Sequence, residues 1–322
     1  MRIVSLLASG TEIVCELGAG RELVGRSHEC DNPDWVRKLP SCTRPAFDVE
    51  MSSRAIDLEV RRRLKEGAPL YYIDTELIGR LDPDFLVTQE HCEVCAVTPG
   101  DIAKSGCEDL ARQVLALRAG TIDGIYEDIR RIGRAISRKR AADVLVAKMK
   151  RRLNEIYENV RQRSTSSVVI LEWTDPIFPA SNWAPELVEV ANGKLLLGRQ
   201  GEHSAAISWK NVCDADPDYL IVAPCGFNLQ RTRREISVLE ALLGWFELSA
   251  VKTGRVFFAD GNKFFNRSGT TIVETAEIIA EILQGFRLRE SWEGGAWQRY
   301  ANVPEERALQ IAHSRTSPLR TS

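Results

Sequence analysis

The residues best suited to chemistry are histidines and cysteines in two short segments. One contains His28 and Cys30, and the other is the run His91-Cys92-Glu93-Val94-Cys95. A Cys-x-x-Cys pair can chelate a metal ion or cycle as a dithiol. A tetrahedral zinc site usually needs a second pair, and the sequence has none, so His28 and Cys30 would have to complete it. The alternative is that these cysteines are small, half-buried residues beneath a cleft wall. The candidate metal ligands are His28, Cys30, His91, Cys92 and Cys95.

Common catalytic signatures are missing from the sequence. It has no P-loop, no G-x-G-x-x-G fingerprint, and neither G-x-S-x-G nor H-E-x-x-H. Ala96 rather than histidine follows the Cys-x-x-Cys, which excludes c-type haem attachment. Because no nucleophile, base and orienting group occur together, we expect a binding protein rather than an enzyme.

Composition restricts the function classes further. The chain has 322 residues, a net charge of −2 and 44% hydrophobic residues, which predicts about two globular domains. The near-neutral charge argues against nucleic acid as a partner. No apolar stretch reaches the roughly 20 residues of a membrane helix. Only Ile3 to Ala8 follow Arg2 as an apolar run, too little for a signal peptide. We therefore expect a cytoplasmic protein, or a periplasmic one if the assigned start omits a leader.

Strand and helix patterns alternate along the chain, which is typical of parallel βαβ units. Helices are expected at Thr11–Leu17, Ala141–Arg163 and Val273–Gln284. The predicted strands are Ile3–Leu7, Glu22–Arg26, Leu70–Ile73, Phe85–Val87, Val114–Leu117, Val168–Glu172, Tyr219–Ala223 and Arg255–Ala259.

A repeated sequence motif suggests that the chain consists of two similar halves. Leu81-Asp82-Pro83-Asp84-Phe85-Leu86-Val87 resembles Ala215-Asp216-Pro217-Asp218-Tyr219-Leu220-Ile221, 134 residues later. Proline cannot continue a helix, so each copy predicts a helix end followed by a buried strand. The predicted fold class is α/β, with two Rossmann-like lobes of parallel sheet joined by one long rigid helix. The expected domains are an N-terminal lobe (1–138), a linking helix (139–164), a C-terminal lobe (165–287) and an appended, partly disordered tail (288–322).

Ligands of open parallel sheets bind beyond the carboxyl ends of the strands, and here those loops would meet in a cleft between the lobes. Aromatic side chains in the second-lobe loops suit a large planar ligand. Of Phe264 and Phe265, we expect one to point inward and one outward. The predicted ligand contacts are Ser9, Thr11, His28, Gln89, His91, Trp173, Trp183, Phe227, Asn262 and Phe265.

Several segments together resemble a known family. They are Arg2–Glu12, Val24–Asp31, Leu81–Asp84, Pro185–Val188, Ser208-Trp209 and Asp260–Asn262. The chain is similar over residues 2–287 to class III (cluster A-II) solute-binding proteins, the periplasmic-binding-protein-like receptors of ABC importers for cobalamin and iron siderophores. It is most similar to the cobalamin-binding branch. The resemblance implies a cleft that holds cobalamin or a related corrinoid, or a similar metal-tetrapyrrole.

The resemblance also implies a partner, an ABC permease that meets one surface glutamate of each lobe. Glu76 falls on the first docking position, but Lys210 occupies the second. A lysine there would repel the arginines of the permease, and with the missing leader it suggests a cytosolic variant. Two alternatives to the corrinoid-binding interpretation remain. One is a metal-binding or thiol-redox protein that uses the histidine and cysteine loops, and the other is an interaction protein that has lost its ligand.

Overall fold

The computed structural model describes residues 1–90, 92, 94, 96–105 and 114–300. The strands are β1 (Ile3–Ser5), β2 (Leu23–Arg26), β3 (Thr43–Pro45), β4 (Tyr71–Ile73), β5 (Phe85–Gln89), β6 (Val114–Leu117), β7 (Ser166–Thr174), β8 (Ile177–Pro179), β9 (Gly193–Leu195), β10 (Tyr219–Val222), β11 (Val256–Ala259) and β12 (Trp297–Arg299). The helices are α1 (Ala8–Glu16), α2 (Ser53–Glu66), α3 (Thr75–Leu81), α4 (Pro99–Lys104), α5 (Ile122–Ala135), α6 (Lys139–Val160), α7 (Ala184–Val190), α8 (Trp209–Ala215), α9 (Leu229–Arg234), α10 (Ile236–Glu240), α11 (Ser249–Lys252) and α12 (Ile272–Gln284).

Each half of the chain builds its own sheet, which confirms the predicted α/β class. The first sheet is parallel throughout, in the order β2-β1-β5-β6. The second has the order β12-β11-β10-β7-β8, with β9 also paired to β7. Its central strands β7, β10 and β11 are parallel, and residues 168–171, 220–222 and 256–259 within them are buried. Helices cover both faces of such strands, which is why they read as continuous apolar runs in the sequence. Strand β4, predicted at Leu70–Ile73, instead pairs with β3 in a separate antiparallel ribbon.

The repeated sequence motif corresponds to a repeated helix–turn–strand unit in the structure. Helices α3 and α8 both have 7 residues and begin after a capping side chain, Asp74 and Ser208 respectively. Both end at an aspartate in the left-handed region, Asp82 with φ 41° and Asp216 with φ 34°. Aspartate tolerates this conformation better than most residues, and the following proline stops the helix. Each unit then leads into a central strand, β5 or β10.

Helix α6 joins the lobes as predicted and contacts both of them. It begins at residue 139, where the linking helix was expected to start, after Ser137 takes a positive φ of 59°, and it ends at Val160, before the expected residue 164. Next to its first turn, Arg138 donates to Glu22 of the first lobe at 2.8 Å. Further along, Arg152 donates to Glu274 and Glu277 of α12 at 2.7 and 2.6 Å. No helix among the described residues is both long enough and apolar enough to span a membrane.

The predicted tail starts too early. Residues 297–299 form β12, which pairs antiparallel with β11 at the edge of the second sheet. The indole nitrogens of Trp292 and Trp297 donate to the buried carboxylates of Glu277 and Glu281 at 3.3 and 3.1 Å. The chain therefore belongs to the second lobe up to residue 300, and the tail prediction for 301–322 lies outside the described residues.

Candidate functional site

A cavity of about 520 Å³ lies between the two lobes. Its walls come from the residues that follow β1, β2 and β5 in the first lobe and β7, β10 and β11 in the second. The volume falls in the range of small-molecule and cofactor sites. The position agrees with the expectation that both sets of strands direct their carboxyl ends toward one cleft.

Most of the predicted ligand contacts line this cavity; that a ligand touches them stays a prediction. Thr11 is the exception, because it is fully buried and its hydroxyl donates to the Cys30 sulfur at 3.0 Å. His91 lies outside the described residues. Phe264 and Phe265 are both buried, but only Phe265 of the pair lines the cavity, while Phe264 packs against Trp292 with ring centroids 5.4 Å apart. The predicted contacts that line the cavity are Ser9, His28, Gln89, Trp173, Trp183, Phe227, Asn262 and Phe265.

The described candidate metal ligands are not brought together. His28 contacts Thr43 Oγ1 through Nδ1 at 2.8 Å, and burial lowers its pKa to about 4, so its imidazole is neutral. Cys30 is buried and does not line the cavity, whereas Cys92 does. Within the described part of the chain, no three His, Cys, Asp or Glu side chains are grouped to hold a metal ion. Cys95, like His91, is outside that part.

An aromatic wall forms the second-lobe side of the cavity. The rings of Trp173 and Phe227 pack with centroids 5.1 Å apart, and the Arg231 guanidinium lies 4.4 Å above Phe227. The Trp173 indole nitrogen donates to the carbonyl of Ser53 at 3.2 Å. These contacts hold a broad apolar surface in one orientation, which suits stacking on a planar ligand.

A first-lobe segment, residues 47–60, passes over the cavity and is called here the roof segment. Phe47, Val49, Ile56 and Val60 of this segment line the cavity. Arg231 of the second lobe donates to its Met51 carbonyl at 2.8 Å. The roof segment thus connects the two lobes above the ligand space.

A buried ion network connects the lobes on another side of the cavity. Arg267 of the second lobe donates to Glu12 at 2.6 Å and to Asp31 at 2.8 Å, both in the first lobe. Its Nε donates to the Asn262 carbonyl at 2.6 Å. Burial opposes the charge on Arg267, but the two carboxylates outweigh it and hold the pKa of Arg267 above its ordinary value. The arginine is therefore fully occupied by protein groups.

Carboxyl groups from both lobes face the cavity: Glu29, Glu50 and Asp57 from the first lobe and Glu172 from the second. Burial raises the pKa of Glu29 to about 7 and that of Glu172 to about 7. Nearby Cys92 adds to the effect on Glu172, while the hydroxyl of Ser204 opposes it. Side-chain exposure of 35% for Glu29 is consistent with its position on the open cavity. The ligand space therefore offers acceptor oxygens in a partly desolvated setting.

Among the described lining residues, the arginine and lysine side chains are Arg231 and Arg267, and both have partners in the protein. Arg231 pairs with Glu235 at 3.1 Å and donates to Met51, while Arg267 pairs with Glu12 and Asp31. Charge complementarity thus favours a ligand that donates hydrogen bonds over one that carries negative charge.

The family model for periplasmic binding proteins matches residues 3–262. The chain belongs to the periplasmic binding protein family. A curated relative, an uncharacterized ABC transporter substrate-binding lipoprotein (YvrC) of Bacillus subtilis strain 168, is 26% identical over 298 residues, which cover 90% of this chain and 82% of the relative.

Solved structures share the two-lobed fold of this periplasmic binding protein. A vitamin B12 binding protein of Vibrio cholerae is 18% identical with a TM-score of 0.63, covering 88% of this chain and 96% of that one. A periplasmic heme binding protein of Pseudomonas aeruginosa is 16% identical with a TM-score of 0.69, covering 93% and 98%. A possible iron-binding protein of Staphylococcus epidermidis is 21% identical with a TM-score of 0.65, covering 88% and 98%.

Sequence reasoning missed several cavity residues of this periplasmic binding protein. Glu172 and Arg231 were absent from the predicted contacts, and so was the whole roof segment. The helix of that segment has readable ends, because Ser52 caps its start and Gly67 ends it with φ +66°. Those signals could have located the helix, but not its place above the cavity.

Replacing Glu172 with glutamine should stabilise this periplasmic binding protein at high pH. The folded-state pKa of Glu172, about 7, lies above the ordinary 4.5. Between these values the folded state holds a proton that the unfolded state releases, so stability is full below about pH 4.5 and is lost as the pH rises through 7. Urea titrations give the free energy of unfolding of E172Q and of wild type at pH 5 and at pH 8. We expect the difference, E172Q minus wild type, to be about 1–2 kcal/mol larger at pH 8 than at pH 5. Replacing the exposed Glu158 in the same way should give no such gain, and a pH-independent difference for E172Q would contradict the prediction.

Proposed function

We propose that this chain is an ABC-transporter-type solute-binding protein that holds a corrinoid, or a similarly uncharged metal-tetrapyrrole, between its lobes. The observation that carries the proposal is the charge of the cavity wall. Glu29 and Glu172 face the ligand space, and the two described arginines of the wall are already paired. The aromatic wall of Trp173 and Phe227 adds a surface for a planar ring.

The charge pattern distinguishes between ligands that the fold alone leaves equivalent. Proteins of similar structure include a vitamin B12 binding protein, a heme binding protein and a protein of an Fe³⁺-hydroxamate transport system. Above about pH 7, where Glu29 and Glu172 are ionised, the two propionate carboxylates of haem would meet them as like charges, and the described arginines of the cavity wall are already paired. The amide side chains of a corrinoid present N–H donors, and hydrogen bonds to a carboxylate are among the stronger ones. We therefore favour a corrinoid over haem.

Membership in this family implies a small-molecule ligand and a permease partner. The first-lobe docking position, Glu76 on α3, is 86% exposed and pairs with Arg80 at 3.1 Å. On α8, Lys210 pairs with Asp214 at 2.6 Å, so the order of acid and base along the helix is reversed. We propose that a permease for this protein presents opposite charges to the two helices. The cytoplasmic location inferred from the sequence also stays a prediction.

Equilibrium binding of cyanocobalamin and haem to the purified protein tests the ligand proposal. We expect a Kd for cyanocobalamin below about 100 μM, equivalent to about 5.5 kcal/mol, and at least about tenfold weaker binding of haem. In the double variant E29Q/E172Q, the Kd values of haem and cyanocobalamin should lie closer together than in wild type, because the variant lacks the carboxylate charges that repel the propionates. Tighter binding of haem than of cyanocobalamin by the wild-type protein, or binding of neither, would overturn the proposal.

A further inference from the structure

Two of the described cysteines line the cavity, and they come from different lobes. Cys92 lies after β5 in the first lobe, and Cys225 lies after β10 in the second. The remaining described cysteines are absent from the cavity wall. Those are Cys15, Cys30, Cys42 and Cys213.

The positions of the two cavity cysteines are equivalent in the repeated unit. Cys92 follows the left-handed Asp82 by ten residues, and Cys225 follows the left-handed Asp216 by nine. In each copy the intervening strand is a central strand of a parallel sheet, so each cysteine sits just beyond its carboxyl end. The repeat therefore places one thiol-bearing residue on each side of the same ligand space.

Hydrogen bonds hold both cysteine backbones in place. The side-chain Nε2 of Gln89 donates to the Cys92 carbonyl at 2.8 Å. The backbone nitrogen of Cys225 donates to the Glu172 carbonyl at 2.9 Å, next to one of the acidic side chains of the cavity. Cys92, Cys225 and Glu172 all line this cavity. The two cysteines thus face the same ligand space from opposite lobes.

The other described thiols lie away from the cavity wall. Cys30 and Cys42 are fully buried in the first lobe, and Cys15 and Cys213 are absent from the lining of the cavity.

We propose that one of the two cavity thiols, that of Cys92 or that of Cys225, supplies a sulfur ligand to the metal of the bound tetrapyrrole. This inference rests on the proposed corrinoid-binding function. Thiolates serve as axial ligands of tetrapyrrole metals in other proteins. With a cobalt(III) corrinoid that carries water on one face, the sulfur lone pair forms the Co–S bond, the bound water leaves, and the thiol proton passes to solvent. Cobalt keeps its oxidation state, so the exchange needs no oxidant or reductant. The ligand class is thus a corrinoid with an exchangeable coordination position.

A comparison of aquacobalamin with cyanocobalamin separates coordination from simple binding. The water ligand of aquacobalamin can be exchanged for sulfur, whereas cyanide holds the same coordination position of cobalt firmly. The proteins to compare are wild type, C92S, C225S, the double variant C92S/C225S and the control C213S. In anaerobic visible spectra, wild type and C213S should shift the bands of aquacobalamin. They should also bind it at least about tenfold more tightly than cyanocobalamin. The double variant should show no shift and nearly equal affinity for the two corrinoids.

The outcomes distinguish this inference from the proposed function. Cyanocobalamin binding with an unshifted aquacobalamin spectrum, or with the same shift in wild type and the double variant, would overturn the coordination and leave corrinoid binding intact. Binding of neither corrinoid would overturn both. If the double variant fails to fold by circular dichroism, alkylation of the wild-type protein decides instead. Bound aquacobalamin should then protect Cys92 or Cys225 from iodoacetamide at least about tenfold more than cyanocobalamin does, and equal protection would contradict the inference.

Discussion

Replacing Arg267 with methionine should lower the free energy of unfolding by about 3–5 kcal/mol. The guanidinium is only 5% exposed and bridges Glu12 and Asp31 from the opposite lobe. Removing it leaves the almost fully buried carboxylate of Glu12 without its cation, and uncompensated buried charge is one of the costliest defects a substitution can create. Urea denaturation at pH 7 measures the loss as a fall in the midpoint with an unchanged slope.

The matched control for Arg267 is an exposed arginine with an equally short ion pair. Arg161 donates to Glu158 at 2.6 Å, but both side chains are about half exposed. Its replacement by alanine should cost about 0.5 kcal/mol or less. Adding E12Q to R267M should recover part of the lost stability, because the unpaired charge disappears with it. A loss below about 1 kcal/mol for R267M alone would show that the network does not stabilise the fold as described.

Three sets of contacts join the two lobes around the cavity. Arg267 joins the lobes on one side, and Arg231 holds the roof segment from another through the Met51 carbonyl. Helix α6 adds a third connection, since Arg138 and Arg152 bind carboxylates of different lobes. Separation of the lobes would break charged hydrogen bonds at each of these places, which favours a cleft whose walls keep their positions when a ligand binds.

The sequence predicts the parts of this fold whose signals are local. The buried runs of β7, β10 and β11 lie within single strands, and the Asp-Pro-Asp turns specify the ends of α3 and α8 within a few residues. Ser9, His28 and Asn262 could be predicted as cavity residues from the strand ends, since ligands of parallel sheets bind beyond the carboxyl ends of the strands.

The parts that escaped prediction depend on pairs that are distant in sequence. Arg267 and Glu12 are 255 residues apart, and neither residue type nor spacing indicates that they meet. The roof segment joins Arg231 to Met51 across 180 residues in the same way. Strand β12 is only 3 residues long and lies at a sheet edge, where no continuous apolar run marks it. Tertiary pairing of this kind is decided by the assembled lobes rather than by local pattern.

Replacing Trp173 with alanine should weaken cobalamin binding by about 2–4 kcal/mol, or on the order of 30- to 1,000-fold in Kd. The indole lines the cavity beside Phe227, and its position is fixed by that ring and by the Ser53 carbonyl. The substitution removes the stacking surface, releases one contact to the roof segment and leaves Phe227 less well supported. Isothermal titration calorimetry of wild type and W173A with cyanocobalamin measures the difference.

Two further variants separate loss of stacking from loss of structure. Trp35 is 42% exposed and lies outside the inter-lobe cavity, so W35A should keep the wild-type affinity within about threefold. W173F keeps an aromatic face but loses the hydrogen bond to Ser53, so its affinity should fall between those of W173A and wild type. An affinity for W173A within about threefold of wild type would mean that the ligand does not rest on this wall. If W173F bound as weakly as W173A, the hydrogen bonds of the indole nitrogen to the Ser53 and Asp175 carbonyls would matter more than the ring face, because both variants lose them.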